Sequence, residues 1–189
     1  MNAITLVTPD GPFSILVGDA PGAPGASVAA APPEQEAVLA AGWTADLEAL
    51  LALVHPTLRS ATGPAQLVRP TAPGGVLAEA ADAVHAYYDG DHGAPGRVPV
   101  RQASGPFRTH AWDVLREVKA GERLTYSAYA VRAGRPAAVR AAAGACAMNA
   151  AALFVPCHRI LRTDGTLGGF RYGLPVKESL LARESALPR

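Results

Sequence analysis

Three adjacent residues, Cys157, His158 and Arg159, combine a nucleophile, a base and a fixed cation, and they follow directly on Pro156. A cysteine reacts as its thiolate, with an ordinary pKa of about 8.5 that falls beside cationic groups. A His next to it in sequence could take the thiol proton, and an Arg could stabilise the anion. The plainer alternative is a buried structural cysteine beside an unrelated His, because free Cys is among the most buried residue types. The run before Pro156, residues 151–155, is short, wholly apolar and closed by a proline. It reads as a buried strand that leaves Cys157 at a strand end, where a rigid scaffold can hold it.

A second chemical group comes from the far end of the chain. Val176, Leu180 and Glu184 fall at i, i+4 and i+8, so Glu184 shares the apolar stripe of a helix that Pro175 opens and that runs to about residue 185, while Glu178 points elsewhere. A carboxylate on an apolar face needs a partner. That partner is either an Arg, in a salt bridge, or a base that the carboxylate orients. Asn149, eight residues before Cys157, ends another helix and suits a C-cap.

The elements that must hold these groups fall into two halves. Residues 3–7 and 13–17 flank a Pro-Asp-Gly-Pro turn and predict a hairpin. Residues 20–33 are a Gly/Pro/Ala-rich loop, and 34–41 a short helix or strand. Thr44 is placed to cap a helix carrying Leu47, Leu50, Leu51 and Val54, which His55-Pro56 stops. Residues 66–68 suit a strand, and 75–88 a helix with Leu77, Ala80, Ala81, Val84 and Tyr88 inward. After the Gly/Pro-rich stretch 89–103, Pro106 opens a helix with Ala111, Val114, Leu115 and Val118 inward, ended by Gly121. Thr125 or Ser127 caps a short helix to 133, and Gly134-Arg135-Pro136 turns into a second through 148. That pairing is a helix-turn-helix pattern. Its second helix is nearly all Ala and Gly, with Arg140 as its one long side chain. Small residues suit tight helix packing, or close docking on another surface. The expected domains are an α/β unit over 1–95, a linker over 96–103 and a mostly helical unit over 104–189.

Composition narrows the classes. Of 189 residues, 49% are hydrophobic, no run approaches a membrane span, and the N-terminus lacks a signal-peptide pattern. A cytoplasmic protein is expected, with Cys146 and Cys157 reduced; no zinc spacing is present. The net charge is only +1, yet residues 97–189 hold 15 of the 17 Lys and Arg against 6 of the 16 acids, a balance of +9, leaving −8 for 1–96. That asymmetry suggests an anion-binding C-terminal half.

The ordered series GPFRTHAWDVLREVKAGERLTYSAYA, GRPAAVRAAAGACAMNA, VPCHRI, DGTLGGF and LPVKESLLARE resembles the O6-alkylguanine-DNA alkyltransferases from about Gly105 to Glu184. The resemblance implies an α/β N-terminal domain with a small sheet and a winged-helix-like C-terminal domain. It implies direct reversal of damage in double-stranded DNA: a flipped O6-alkylguanine, and by extension O4-alkylthymine, gives its alkyl group to Cys157 once, without a cofactor or metal. In that scheme Glu184 orients His158, and Asn149 ties the helix-turn-helix to the active-site segment. Arg140 fills the space of the flipped base, and Tyr126 crowds its phosphate, although Tyr126 alone also reads as a core aromatic. Ser127, Arg135 and Thr163 match DNA contacts. Ile160, Phe170 and Arg171 match the substrate pocket. The chain departs from the family pattern at Phe170, where a Tyr is usual, at Ser179 for Trp, at Ala150 for Pro, and at Cys146 for a bulky apolar residue. Nothing suggests dimer symmetry, so a monomer is expected. The competing readings are a non-catalytic lesion-binding relative, a Cys–His–Glu hydrolase, and a sequence-specific regulator.

Overall fold

The computed structural model describes residues 1–19, 36–60 and 67–185. The loop expected over 20–33 lies outside them, as does Gln66. Strands β1 (Asn2–Thr8), β2 (Gly11–Asp19) and β3 (Glu36–Gly42) form an antiparallel sheet in that order. Its hairpin turns at Gly11, whose φ of 109° favours glycine. Successive residues of β2 point to opposite faces, and both faces are covered. Leu16 packs with Leu39, Leu47, Leu50 and Leu58 on one side, while Phe13, Ile15 and Val17 pack with Leu77, Val84 and Tyr87 on the other. The first side is covered by α1 (Leu47–Leu53) and α2 (Pro56–Ser60), the second by α3 (Gly75–Tyr88). This is why β2 is buried without a polar alternation.

The free edge of β3 carries the connection to the chemistry. Val38 exchanges backbone hydrogen bonds with the 99–101 segment, at 2.9 Å from Val38 N to Pro99 O and from Arg101 N to Val38 O. Ala41 donates to Ala150 O and accepts from Ala152 N, both at 2.9 Å. The Cys157 segment is thereby hung on the sheet.

The C-terminal half has α4 (Pro106–Arg116), α5 (Tyr126–Arg132), α6 (Val139–Ala147) and α7 (Leu174–Ser185), with a parallel pair β4 (Leu124–Thr125) and β5 (Ile160–Leu161). Trp112 Nε1 donates to Ala145 O at 2.8 Å and Tyr129 Oη to Ala111 O at 2.6 Å, locking α4 against the α5–α6 pair. Among the described residues, no helix is long and apolar enough to cross a membrane.

Four local expectations change. The strand expected over 151–155 is a buried turn: only Ala151 bridges β3, Leu153 takes φ 71°, and Val155 N bonds back to Ala151 O. An apolar run reports burial, and burial is common to strand and turn. The cap of α1 is Asp46, which accepts from Ala49 N at 3.0 Å, while Thr44 accepts from Asp46 N. His55-Pro56 ends α1 but also begins α2, since a proline at a first turn needs no N–H partner. The second helix of the pair starts at Val139, not Pro136, because 135–138 close a separate turn through Ala138 N to Arg135 O.

Candidate functional site

Cys157, His158 and Arg159 form a single 3-10 turn between Pro156 and β5. A three-residue repeat sends successive side chains about 120° apart, so the three neighbours serve three different surroundings. Cys157 is only 8% exposed, yet it lines a cavity of about 360 Å³, within the roughly 300–1,000 Å³ of small-molecule sites. Tyr126, Cys146, Asn149, Phe170, Arg171 and Tyr172 share that cavity, together with small residues of α6.

Asn149 is fixed from several sides. Its Nδ2 donates to Val155 O at 2.8 Å and to Cys157 Sγ at 3.3 Å, and its Oδ1 accepts from Gln102 Nε2 at 3.0 Å and Ala151 N at 3.1 Å. Gln102 in turn accepts from Ala150 N at 2.7 Å. Burial pushes the Cys157 thiol up, while the Asn149 bond and the positive charges of Lys177 and Arg171 pull it down; the net direction is upward. Cys157 therefore rests as a thiol at neutral pH and needs a base.

His158 is fully buried and meets Glu184 Oε1 through Nε2 at 2.9 Å. With the Nε2 proton directed to that carboxylate, Nδ1 carries the lone pair. Nδ1 is buried and makes no hydrogen bond with any described residue. Burial lowers the His158 pKa, opposed by Glu184, so the ring is neutral at pH 7 and able to accept a proton. Burial alone would raise Glu184, but the hydrogen bonds from His158 and Arg159 and the Arg159 charge outweigh it and hold the carboxyl well below its usual range. Because His158 is neutral, Arg159 is the cation that keeps Glu184 ionised. Arg159 Nη2 lies 2.8 Å from Oε1 and Nε 3.0 Å from Oε2. The fixed charge expected beside the thiol is thus spent on Glu184. Glu184 contacts both kinds of partner that its place on the stripe left open, an Arg and a His.

The rest of the expected site is distributed. Tyr126 lines the cavity with its ring against Gly168, where φ is 67° and a Cβ would come within 3.1 Å of the Tyr126 hydroxyl. Burial raises the Tyr126 pKa, so its hydroxyl stays protonated. Phe170 and Arg171 line the cavity, whereas Ile160 does not: its side chain is wholly buried and its carbonyl accepts from Lys177 Nζ at 2.7 Å. Arg135 and Arg140 line a separate open cavity with Arg108, and Arg135 stacks over the Phe107 ring at 5.3 Å. Ser127 bonds Thr125 across the α5 cap at 2.9 Å, and Thr163 is exposed in the turn after β5.

Four contributors were not foreseen. Gln102 orients Asn149; Lys177 is fully buried and tethers Ile160 O and Leu167 O. Tyr172 joins Phe170 and Trp43 in an aromatic cluster, with centroids 5.6–6.0 Å apart, and bonds Ala41 O. Tyr87, from α3, donates to Glu184. The expected inward stripe of 75–88 ends on Tyr88, whereas Tyr87 is the fully buried one and Tyr88 is half-buried; no residue-type signal marks the partners of Tyr87 or Lys177.

A small sheet carrying a helix-turn-helix half, with a Cys–His–Glu set between them, defines a two-part class of protein, and comparisons with known proteins narrow it. The 6-O-methylguanine DNA methyltransferase, DNA binding domain, family model matches residues 106–186. A methylated-DNA–protein-cysteine methyltransferase of Salmonella typhimurium is 34% identical over 120 residues, covering 64% of this chain and 68% of that protein. The chain belongs to this methyltransferase family. The bifunctional transcriptional activator/DNA repair enzyme Ada of Escherichia coli is 43% identical over 91 residues, 48% of this chain but 26% of Ada. A methylated-DNA–protein-cysteine methyltransferase of Kluyveromyces lactis is 44% identical over 81 residues, 43% of each chain. The chain thus spans a quarter to less than half the length of these two relatives. The fold is that of a Mycobacterium tuberculosis protein solved in complex with DNA (TM-score 0.67, 23% identity, covering 98% of this chain and 94% of that one). It is also that of the Pyrococcus kodakaraensis O6-methylguanine-DNA methyltransferase (TM-score 0.64, 18% identity, 98% and 99%).

Proposed function

We propose that this protein repairs double-stranded DNA by moving the alkyl group of O6-alkylguanine onto its own Cys157. The carrying observation is that Cys157 opens into a cavity of about 360 Å³, while the adjacent, buried His158 is held by Glu184 at Nε2 and has Nδ1 without a partner among the described residues. Sγ attacks the alkyl carbon in line. The carbon–sulfur bond forms as the carbon–O6 bond breaks, and the electron pair leaves on guanine. The thiol proton passes to His158 Nδ1 through a water, and the imidazolium is stabilised by Glu184. The Tyr126 hydroxyl, protonated and in the cavity, is placed to donate to the departing base. A thioether does not return its carbon, so each molecule acts once and no cofactor is needed.

A base inside a duplex cannot reach Cys157, and extrusion costs a few kcal/mol. The small residues of α6 allow close approach to DNA, and the exposed Arg140 offers a flat guanidinium to stack in the vacated position. Arg135, Ser127 and Thr163 then serve as backbone contacts, which hold a duplex without reading its sequence. Residues 104–189 do the binding and transfer; 1–95 brace them, with 96–103 joining the two. One chain supplies every group, so a monomer suffices, and a reactive thiol suits a reducing compartment such as the cytoplasm. Incubation with duplex carrying O6-methylguanine, followed by peptide mass analysis, tests the reading. A gain of one methyl on Cys157, abolished in Cys157→Ala, is expected. Tight binding without transfer would instead identify a non-catalytic lesion binder.

A further inference from the structure

Among the described residues that line the Cys157 cavity, Arg171 is the only charged one. The others are aromatic, small, or uncharged polar groups. Arg171 is held in place at both ends. Its Nη2 donates to Ala147 O at 2.5 Å, the last residue of α6, where the helix dipole favours a cation. Its backbone lies between Phe170 and Tyr172, both packed on Trp43 of the N-terminal half. A guanidinium has five N–H donors, and the Ala147 bond uses one. Its positive charge is felt at Cys157 Sγ. The other cation felt there, Lys177, is fully buried and tethered to the Ile160 and Leu167 carbonyls.

We propose that Arg171 makes this site favour O6-alkyl groups that end in an anion, such as a carboxylate, over neutral groups of the same shape. This rests on the transfer reaction proposed above and names its preferred substrate class. An alkyl group in reach of Cys157 Sγ shares the cavity with this guanidinium. A terminal carboxylate would otherwise be desolvated in the pocket and repel the forming thiolate; the guanidinium offsets both costs and donates hydrogen bonds to the carboxylate. The transfer step is unchanged: for a carboxymethyl adduct the CH₂–O6 bond breaks, the CH₂–Sγ bond forms, and S-carboxymethylcysteine results. A phosphate-contact role for Arg171 is the competing assignment. The cavity that contains Arg135 and Arg140 is a separate one from which Arg171 is absent, and this favours the pocket role.

The test measures transfer rates to Cys157 from three duplexes of one sequence, carrying O6-carboxymethylguanine, its neutral isostere O6-carbamoylmethylguanine, or O6-methylguanine. Wild type, Arg171→Gln and Arg171→Lys are compared. The intrinsic reactivities of the adducts cancel when the carboxymethyl-to-carbamoylmethyl ratio is compared between proteins. That ratio should fall about five- to tenfold in Arg171→Gln, between the worth of an exposed pair and of a charged hydrogen bond. Arg171→Lys should restore part of it, and the carboxymethyl-to-methyl ratio should fall in parallel, whatever slowing is common to all three substrates. An unchanged ratio overturns the proposal, as does an equal slowing of all three substrates, which would make Arg171 a phosphate contact. If methyl transfer proceeds normally, such a result leaves the transfer reaction standing. No transfer from any duplex, methyl included, overturns both.

Discussion

The phenol of Tyr87, at the end of α3, donates at 3.1 Å to Glu184 Oε1, the same oxygen that His158 Nε2 meets at 2.9 Å. A tyrosine of one half, 97 residues before Glu184, therefore competes with His158 for one lone-pair region. Tyr87 is fully buried, and its own pKa is driven up by burial and by the Glu184 charge, so it is always a donor. Removing its hydroxyl leaves more negative charge facing His158, which raises the His158 pKa. Transfer needs neutral His158, so the acid limb of the pH–rate profile should move to higher pH in Tyr87→Phe. The plateau rate should stay within about threefold, with a stability loss of about 1 kcal/mol for the lost hydrogen bond. A merely structural Tyr87 would lower stability and leave the profile in place.

Arg159 and Glu184 are a buried pair with bidentate contact. Removing one partner leaves an uncompensated buried charge, at a cost of about 3–5 kcal/mol. Arg159→Leu should therefore lower the urea midpoint strongly. It should also let Glu184 take up protons at higher pH than in the wild type. Arg159 does not touch the thiol, so the pH dependence of Cys157 reaction with iodoacetamide should shift little. A large shift there would return Arg159 to the thiol.

Acid should destabilise the protein, in two stages. His158 has a folded pKa below its unfolded value of about 6.5, so its contribution is full above that pH and declines as pH falls. Glu184 is depressed in the fold, so its contribution is present above about pH 4.3 and is lost as pH falls further. Both have the same sign. The thermal midpoint should change little on account of these two groups between pH 8 and 6.5, decline below 6.5, and fall more steeply below about 4.3. In Glu184→Gln the final stage should shrink.

These relationships differ in how far a sequence could reveal them. Cys157 and His158 announce themselves by type and adjacency, and Glu184 by a carboxylate on an i, i+4, i+8 apolar stripe. The helices over 75–88, 106–116 and 174–185 follow from periodicity and prolines. Arg159 was misdirected because adjacency in sequence says nothing about direction on a 3-10 turn, where neighbours diverge. Gln102 carried no signal: its partner Asn149 is 47 residues away, and a Gln in a Gly/Pro-rich stretch looks like any loop polar group. The 151–155 run misled because burial is common to strands and turns, and only the β3 edge decides that a single residue pairs.

Asn149 is the one described side chain that hydrogen-bonds Cys157 Sγ. Asn149→Ala should lose about tenfold or more in transfer rate at pH 7 and raise the pH at which Cys157 reacts with iodoacetamide. It also strands Val155 O and the Gln102 amide, so about 1–3 kcal/mol of stability should go with it. Gln102→Ala separates the two effects. It leaves the Asn149 to sulfur bond available but unsupported, and should reduce the rate only a few-fold. An equal loss in both variants would mean that Asn149 acts through the fold alone.

Gly42 tests whether the N-terminal sheet sets the shape of the pocket. A Cβ at this position would fall 1.9 Å from Tyr172 Oη and 2.0 Å from its Cζ, so Gly42→Ala must push the ring away. Tyr172 would then lose its 3.3 Å bond to Ala41 O and disturb its packing on Trp43 and Phe170. Since Phe170 and Tyr172 both line the Cys157 cavity, its wall moves with them. Overpacking of this kind costs about 1–3 kcal/mol. Transfer from O6-methylguanine should slow modestly, because Cys157, His158 and Glu184 keep their own contacts. The ratio of rates for bulky over methyl adducts should change by a larger factor, in either direction according to where the ring settles. A stability loss with no change in that ratio would separate the sheet from substrate selection and leave it a brace for the Cys157 segment alone.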